Sequence, residues 1–183
     1  MNRLQRAAVL TQLAHELADQ GSWCGETHLQ KATYFLQELL EVPTEFEFTL
    51  YKFGPYSFDL GDELTALRAD ELLDLKVRHP SYGPSYVPTE TSQSLRARYP
   101  FTLRKYGELI SFVATKLGRK GVTELERVAT ALYVTLEMPE NDAVTGRARR
   151  LRELKPHVPL EAAKAAVEEF DEIAAAAQEM LQK

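Results

Sequence analysis

Cysteine is almost absent. The 183-residue chain has one, Cys24, so no disulfide can close within it, and a lone thiol fits a reducing compartment. Long apolar runs are missing as well. No stretch approaches the roughly 20 apolar residues of a membrane span. Arg3, Arg6, His15, Glu16 and Asp19 interrupt the N-terminal segment and leave no signal-peptide core. The expectation is a cytoplasmic protein with no membrane contact. There is no phosphate-cradling glycine loop, since Gly54 and Gly83 are each followed by proline. Histidine is sparse, and His15, His79 and His157 are isolated in sequence. Cys24 and His28 stand four apart, but two ligands do not make a zinc site, and nothing near Cys24 supplies the base and orienting group a nucleophile needs. No catalytic residues, no metal and no cofactor are expected, and the chain is read as a non-enzyme.

What is present is ordinary in amount and uneven in placement. The composition, 44% hydrophobic and 27% charged, is that of a globular protein. A chain of this length buries about two thirds of its unfolded surface. Net charge is −5, which argues mildly against a dedicated nucleic-acid binder. Residues 1–75 carry 5 basic and 13 acidic side chains, residues 76–155 carry 15 and 8, and residues 156–183 carry 2 and 6. An acidic front and a basic middle fit intramolecular pairing, a charged partner, or both.

Helical periodicity predicts a first helix over residues 3–19. A second opens on a Thr27/Gln30 capping box, with Leu29, Ala32, Leu36, Leu39 and Leu40 on one face. Phe46, Phe48 and Leu50 alternate with Glu45, Glu47 and Thr49, the pattern of a half-buried strand. Gly54-Pro55 breaks it, and Ser57 caps a helix carrying Leu60, Leu64 and Leu67. Leu73, Leu75 and Val77 suggest a second strand, 79–85 a loop, and Tyr86-Val87 a third strand confined to an edge by Pro88. Further helices follow Pro100, a Thr123/Glu126 capping box, a start near residue 142, and Pro159.

The expected fold is mainly α with a small antiparallel sheet, an α+β arrangement. It places an elaborated winged-helix-like core before a helical C-terminal half. One domain, 1–183, is expected, with a weak internal boundary near 90–99 separating a winged-helix-like part (1–89) from a helical part (100–183).

Two segments stand out. In Tyr51-Lys52-Phe53-Gly54-Pro55-Tyr56-Ser57, three aromatics crowd a turn that Gly54 and Pro55 shape. They fill the core or form a contact surface. In the second, Arg147, Arg149, Arg150, Arg152 and Lys155 form a basic run, with Arg149 and Arg152 one helical turn apart. It is a solvated face, a pairing partner for the acidic front, or a patch for phosphates or an acidic protein. A DNA-reading winged helix lacks the chemistry, because the candidate recognition helix carries Asp59, Asp62 and Glu63 against Arg68.

The run Leu29-Gln30-Lys31-Ala32-Thr33-Tyr34-Phe35, the strand after it, and Tyr51–Ser57 resemble the SocA/Panacea-type antitoxin domain and the similar YwgA-type bacterial proteins. Glu124–Thr130 and Leu154-Lys155-Pro156 look like the later helical part of the YwgA-type pattern. The resemblance implies a bacterial, non-enzymatic protein-interaction module of antitoxin or phage-defence type. Such a module binds and neutralises or tethers a toxin or a defence-complex subunit. On that view Lys52, Phe53, Gly54, Pro55 and Tyr56 shape the partner site, and Arg147, Arg149, Arg150 and Arg152 form a second, basic patch. The alternatives are a nucleic-acid-binding regulator using the basic middle, or an accessory subunit of a larger defence complex.

Overall fold

The computed structural model describes residues 1–79, 82–139 and 143–182. The helix start expected at 142 and part of the expected 79–85 loop lie outside them. In chain order the elements are α1 (Arg3–Asp19), α2 (Glu26–Glu38), β1 (Thr49–Tyr51), β2 (Gly54–Tyr56), α3 (Phe58–Ala69), β3 (Leu73–Lys76) and β4 (Ser85–Pro88). There follow α4 (Glu90–Arg98), α5 (Pro100–Leu117), α6 (Val122–Glu137), α7 (Val144–Leu154) and α8 (Leu160–Leu181). The fold is mainly α with two small antiparallel sheets of two strands each. None of the described helices is long and apolar enough to cross a membrane.

The chain forms two compact units, one of residues 1–48 and 57–120, the other of 49–56 and 121–183. The division therefore falls at 120/121, and the region near 90–99 is occupied by α4 inside the first unit. That helix is mostly polar. It buries only Ser92 and Leu95, and the Thr89 hydroxyl caps it by accepting from the Ser92 N–H.

In the first unit α1 is the hub, packing on α5, α4, β4 and α2. Ala7, Ala8 and Ala14 let neighbours approach closely while Leu10, Leu13 and Leu17 fill the space between. Asn2 and Gln5 cap its start reciprocally. The order α1, α2, α3, β3, β4 is that of a winged helix, with β3 and β4 paired from Leu73↔Pro88 to Lys76↔Ser85.

The half-buried strand expected over 45–50 forms only at Thr49–Tyr51. Glu41 (φ +53°) and Glu45 (φ +61°) turn the backbone out of the extended region. The Gln37 amide takes the place of a neighbouring strand: its Nε2 donates to the Phe46 carbonyl at 2.9 Å, and its Oε1 accepts from the Phe46 N–H at 2.9 Å. Gln30, two turns earlier on α2, does the same for Ser57, donating to its carbonyl at 2.8 Å and accepting from its N–H at 2.9 Å. The two glutamines thus fix Phe46 and Ser57, the backbone on either side of 49–56. The expected Thr27/Gln30 capping box does not form; α2 starts on Gly25 without a side-chain cap, and Gln30 is spent on Ser57.

In the second unit α6, α7 and α8 pack pairwise, and β2 lies on α6. Ala163, Ala166, Val167, Phe170, Ile173 and Ala177 are the buried stripe of α8. The expected Thr123/Glu126 box is replaced by Glu124 accepting from the Gly121 N–H at 2.7 Å, which frees Glu126 for another role.

Candidate functional site: a braced hairpin tip

The segment Tyr51–Ser57, expected as a strand-to-helix corner, is a tight hairpin followed by a helix cap. β1 and β2 pair antiparallel at Thr49↔Tyr56, Leu50↔Pro55 and Tyr51↔Gly54, leaving Lys52 and Phe53 as the two-residue turn. Gly54 takes φ +83°, a conformation that costs an L side chain strain. Pro55 has no N–H to lose and sits, buried, in a two-stranded ribbon. Ser57 then caps α3, its hydroxyl accepting from the Leu60 N–H at 3.2 Å.

The turn is held from beneath by Lys155, the residue that ends α7. Its ammonium is buried, 5% exposed, and donates to the carbonyls of Tyr51 and Lys52, both at 2.6 Å. Glu126, 6% exposed, supplies the counter-charge with Oε1 at 3.4 Å. Two of the ammonium's three donors go to the turn carbonyls, and the carboxylate stands beside it at ion-pair distance. On its other side the same Oε1 lies 3.3 Å from Nε2 of the exposed His157. The turn's outward carbonyls are thus satisfied inside the protein, and its side chains point the other way. Tyr51 is 56% and Phe53 52% exposed. The Lys52 ammonium sits 5.3 Å over the Phe53 ring, and Tyr51 and Tyr56 pack at 6.0 Å between centroids.

The five residues expected to shape a partner site therefore divide. Lys52 and Phe53 are the exposed tip, Gly54 and Pro55 the buried base, and Tyr56 is half-buried between them.

The basic run divides as well. Arg147 is buried and lies outside any surface patch. Its guanidinium makes two parallel bonds of 2.7 Å to Asp171 on α8 and a third of 3.1 Å to the Thr135 hydroxyl on α6. Arg150 is paired with Glu137 at 3.1 Å and Glu153 at 3.3 Å. Arg149 and Arg152 remain exposed. The physical reason is the α7 stripe Arg147, Ala148, Leu151 and Lys155, which faces inward as one helical row. Its two apolar members, at 148 and 151, were the signal that the flanking cations lie inside.

In the first unit, the outward side of α3 exposes Phe58, Asp59 and Asp62, and exposed Asp70 follows its last residue. An open depression of about 400 Å³ beside it is lined by Glu45, Asp59, Asp62 and Glu63 with Arg6. Carboxylates there repel a phosphate backbone. Cys24 is buried and its thiol donates to the Ala14 carbonyl at 3.6 Å; burial pushes its pKa up to about 12. The His28 Nε2–H donates to the Lys120 carbonyl at 3.0 Å. No group of three or more metal-ligating side chains occurs among the described residues.

No family model, curated protein or solved structure matches the chain.

Proposed function

We propose that the chain is a non-enzymatic protein-interaction module of antitoxin or phage-defence type that engages its partner with the hairpin tip Tyr51-Lys52-Phe53. The observation that carries the reading is the bracing of an exposed aromatic turn by a buried lysine. Two large rings in water cost the free protein solvation, and Lys155 spends a buried charge on holding their backbone rigid. A preorganised aromatic anchor loses little entropy on docking, which is the property of an interface hot spot. The resemblance of Leu29–Phe35 and Tyr51–Ser57 to SocA/Panacea-type and YwgA-type proteins supports the same reading. Lys52 adds a cation at the tip, which suits an apolar partner pocket with an acidic rim.

The test is co-purification from the native host, together with growth rescue against the neighbouring gene's product, using the native chain and the Phe53→Ala and Tyr51→Ala variants. Each variant is expected to weaken the complex by about 30-fold or more while keeping the native helical spectrum. A partner held equally well by both variants removes the tip from the interface.

A further inference from the structure

The first unit carries a second surface with different chemistry, where the segment joining β3 to β4 meets the α1–α2 loop. Trp23 is the chain's one tryptophan. Its indole N–H donates to the Gly83 carbonyl at 2.8 Å, which fixes the ring against the hairpin. Gly25 leaves room for it, since a Cβ there would come within 3.3 Å of the indole. Tyr82, 66% exposed, tilts against Trp23 with centroids 5.4 Å apart, and the His79 ring lies 5.3 Å from Tyr82. The Arg78 guanidinium stands 6.0 Å over the Trp23 ring.

Charge gathers around these rings. Lys76 and Arg78 are exposed on the hairpin. Gly118 packs against Gln20, so the end of α5, with Lys116 before it and Arg119 and Lys120 after it, adjoins the α1–α2 loop that holds Trp23. Asp19, Glu26 and Asp74 are the exposed carboxylates at the ends of the α1–α2 loop and on the hairpin strands, and five cations outnumber them.

We propose that this cluster is a stacking platform for single-stranded nucleic acid, with Trp23, His79 and Tyr82 taking bases and Lys76, Arg78 and the α5 end taking phosphates. Exposed rings beside cations bind bases through stacking and the backbone through charge, without reading sequence. A duplex hides its base faces, and the acidic α3 of this unit repels the second strand that a groove-reading helix would need. The platform stands independently of the protein-binding reading, since it uses none of the hairpin-tip residues.

Trp23 supplies its own readout. Oligothymidylate titrated into the full chain at low salt is expected to quench tryptophan emission. The log–log salt dependence should have a slope of about −2, as for roughly three phosphates on a single strand. Arg78→Glu and Tyr82→Ala, both at exposed positions, are each expected to weaken binding about tenfold with unchanged circular dichroism. Tyr82→Phe keeps the ring and is expected to bind like the native chain. Several outcomes overturn the proposal: no quenching at low salt, equal binding by both weakening variants, tighter binding of a duplex of the same length, or equal quenching by heparin. An emission change on raising protein concentration alone assigns the surface to a contact between two copies and overturns it too.

Discussion

Lys155 reaches Tyr51 across 104 residues of chain, its ammonium 2.6 Å from the Tyr51 carbonyl. A second bond of 2.6 Å runs to the Lys52 carbonyl, and the Glu126 carboxylate at 3.4 Å supplies the counter-charge. Replacing Lys155 with methionine keeps most of the stem and removes the charge. Glu126 is then buried without its cation and two turn carbonyls lose a donor. We expect a loss of about 3 kcal/mol in denaturant unfolding. Glu126→Gln in the same chain should recover part of it, because the stranded charge is gone. Additive losses in the double variant would show that the two side chains do not act on each other.

Arg147 and Arg149, two residues apart, should behave oppositely. Arg147→Ala breaks a bidentate pair whose arginine is buried and whose Asp171 side chain is 41% exposed. That partial exposure brings the cost down to about 2 kcal/mol, below the range for a fully buried pair. Arg147→Lys should not restore it, since one ammonium cannot make both parallel bonds. Arg149→Ala should stay within about 0.5 kcal/mol of native. Thermal melts of the three variants check the order.

Gln30→Ala tests the anchor at Ser57. Ser57 is buried, and both its N–H and its carbonyl would be left without the amide. The expected loss is about 2 kcal/mol. Amide hydrogen exchange should speed up at Ser57 and at the start of α3 before the rest of the first unit.

His28 gives the first unit a pH dependence. Burial lowers its pKa below the ordinary 6.5, with the Lys120 carbonyl pulling weakly the other way. Below pH 6.5 the unfolded chain therefore binds a proton that the folded chain refuses. Stability is full above that value and falls as pH drops from 6.5 through the lowered folded pKa. Urea midpoints measured across this window should decline, and His28→Gln should flatten that part of the profile. An unchanged slope in the variant would assign the decline to other groups.

The helices and the β3–β4 hairpin were legible because their buried rows are apolar. Leu10, Leu13 and Leu17 announce α1, and buried Leu73 with half-buried Leu75 announces β3. The same logic misled over 45–50, where Phe46 keeps the alternating pattern but its backbone groups are met by a glutamine side chain nine residues earlier. Side-chain amides that replace a strand leave no periodicity to find. α4 was missed for the complementary reason, since a helix with two buried positions has no row to display. At the candidate site, Gly54 and Pro55 marked a turn, but whether its rings point outward depends on Lys155, whose partner lies far along the chain. The pairing of Arg147 leaves no local signal because its partner Asp171 is 24 residues further on.

The hairpin of residues 49–56 belongs with helices that begin at residue 121, and this has a consequence for synthesis. The ribosome releases the turn more than a hundred residues before the lysine that holds it. During that interval the nascent chain carries Tyr51 and Phe53 on an unsupported ribbon, and two-stranded ribbons are marginal alone in water. Every shortened product that stops before α7 shares this condition. A braced turn is thus a mark of a chain made past Lys155.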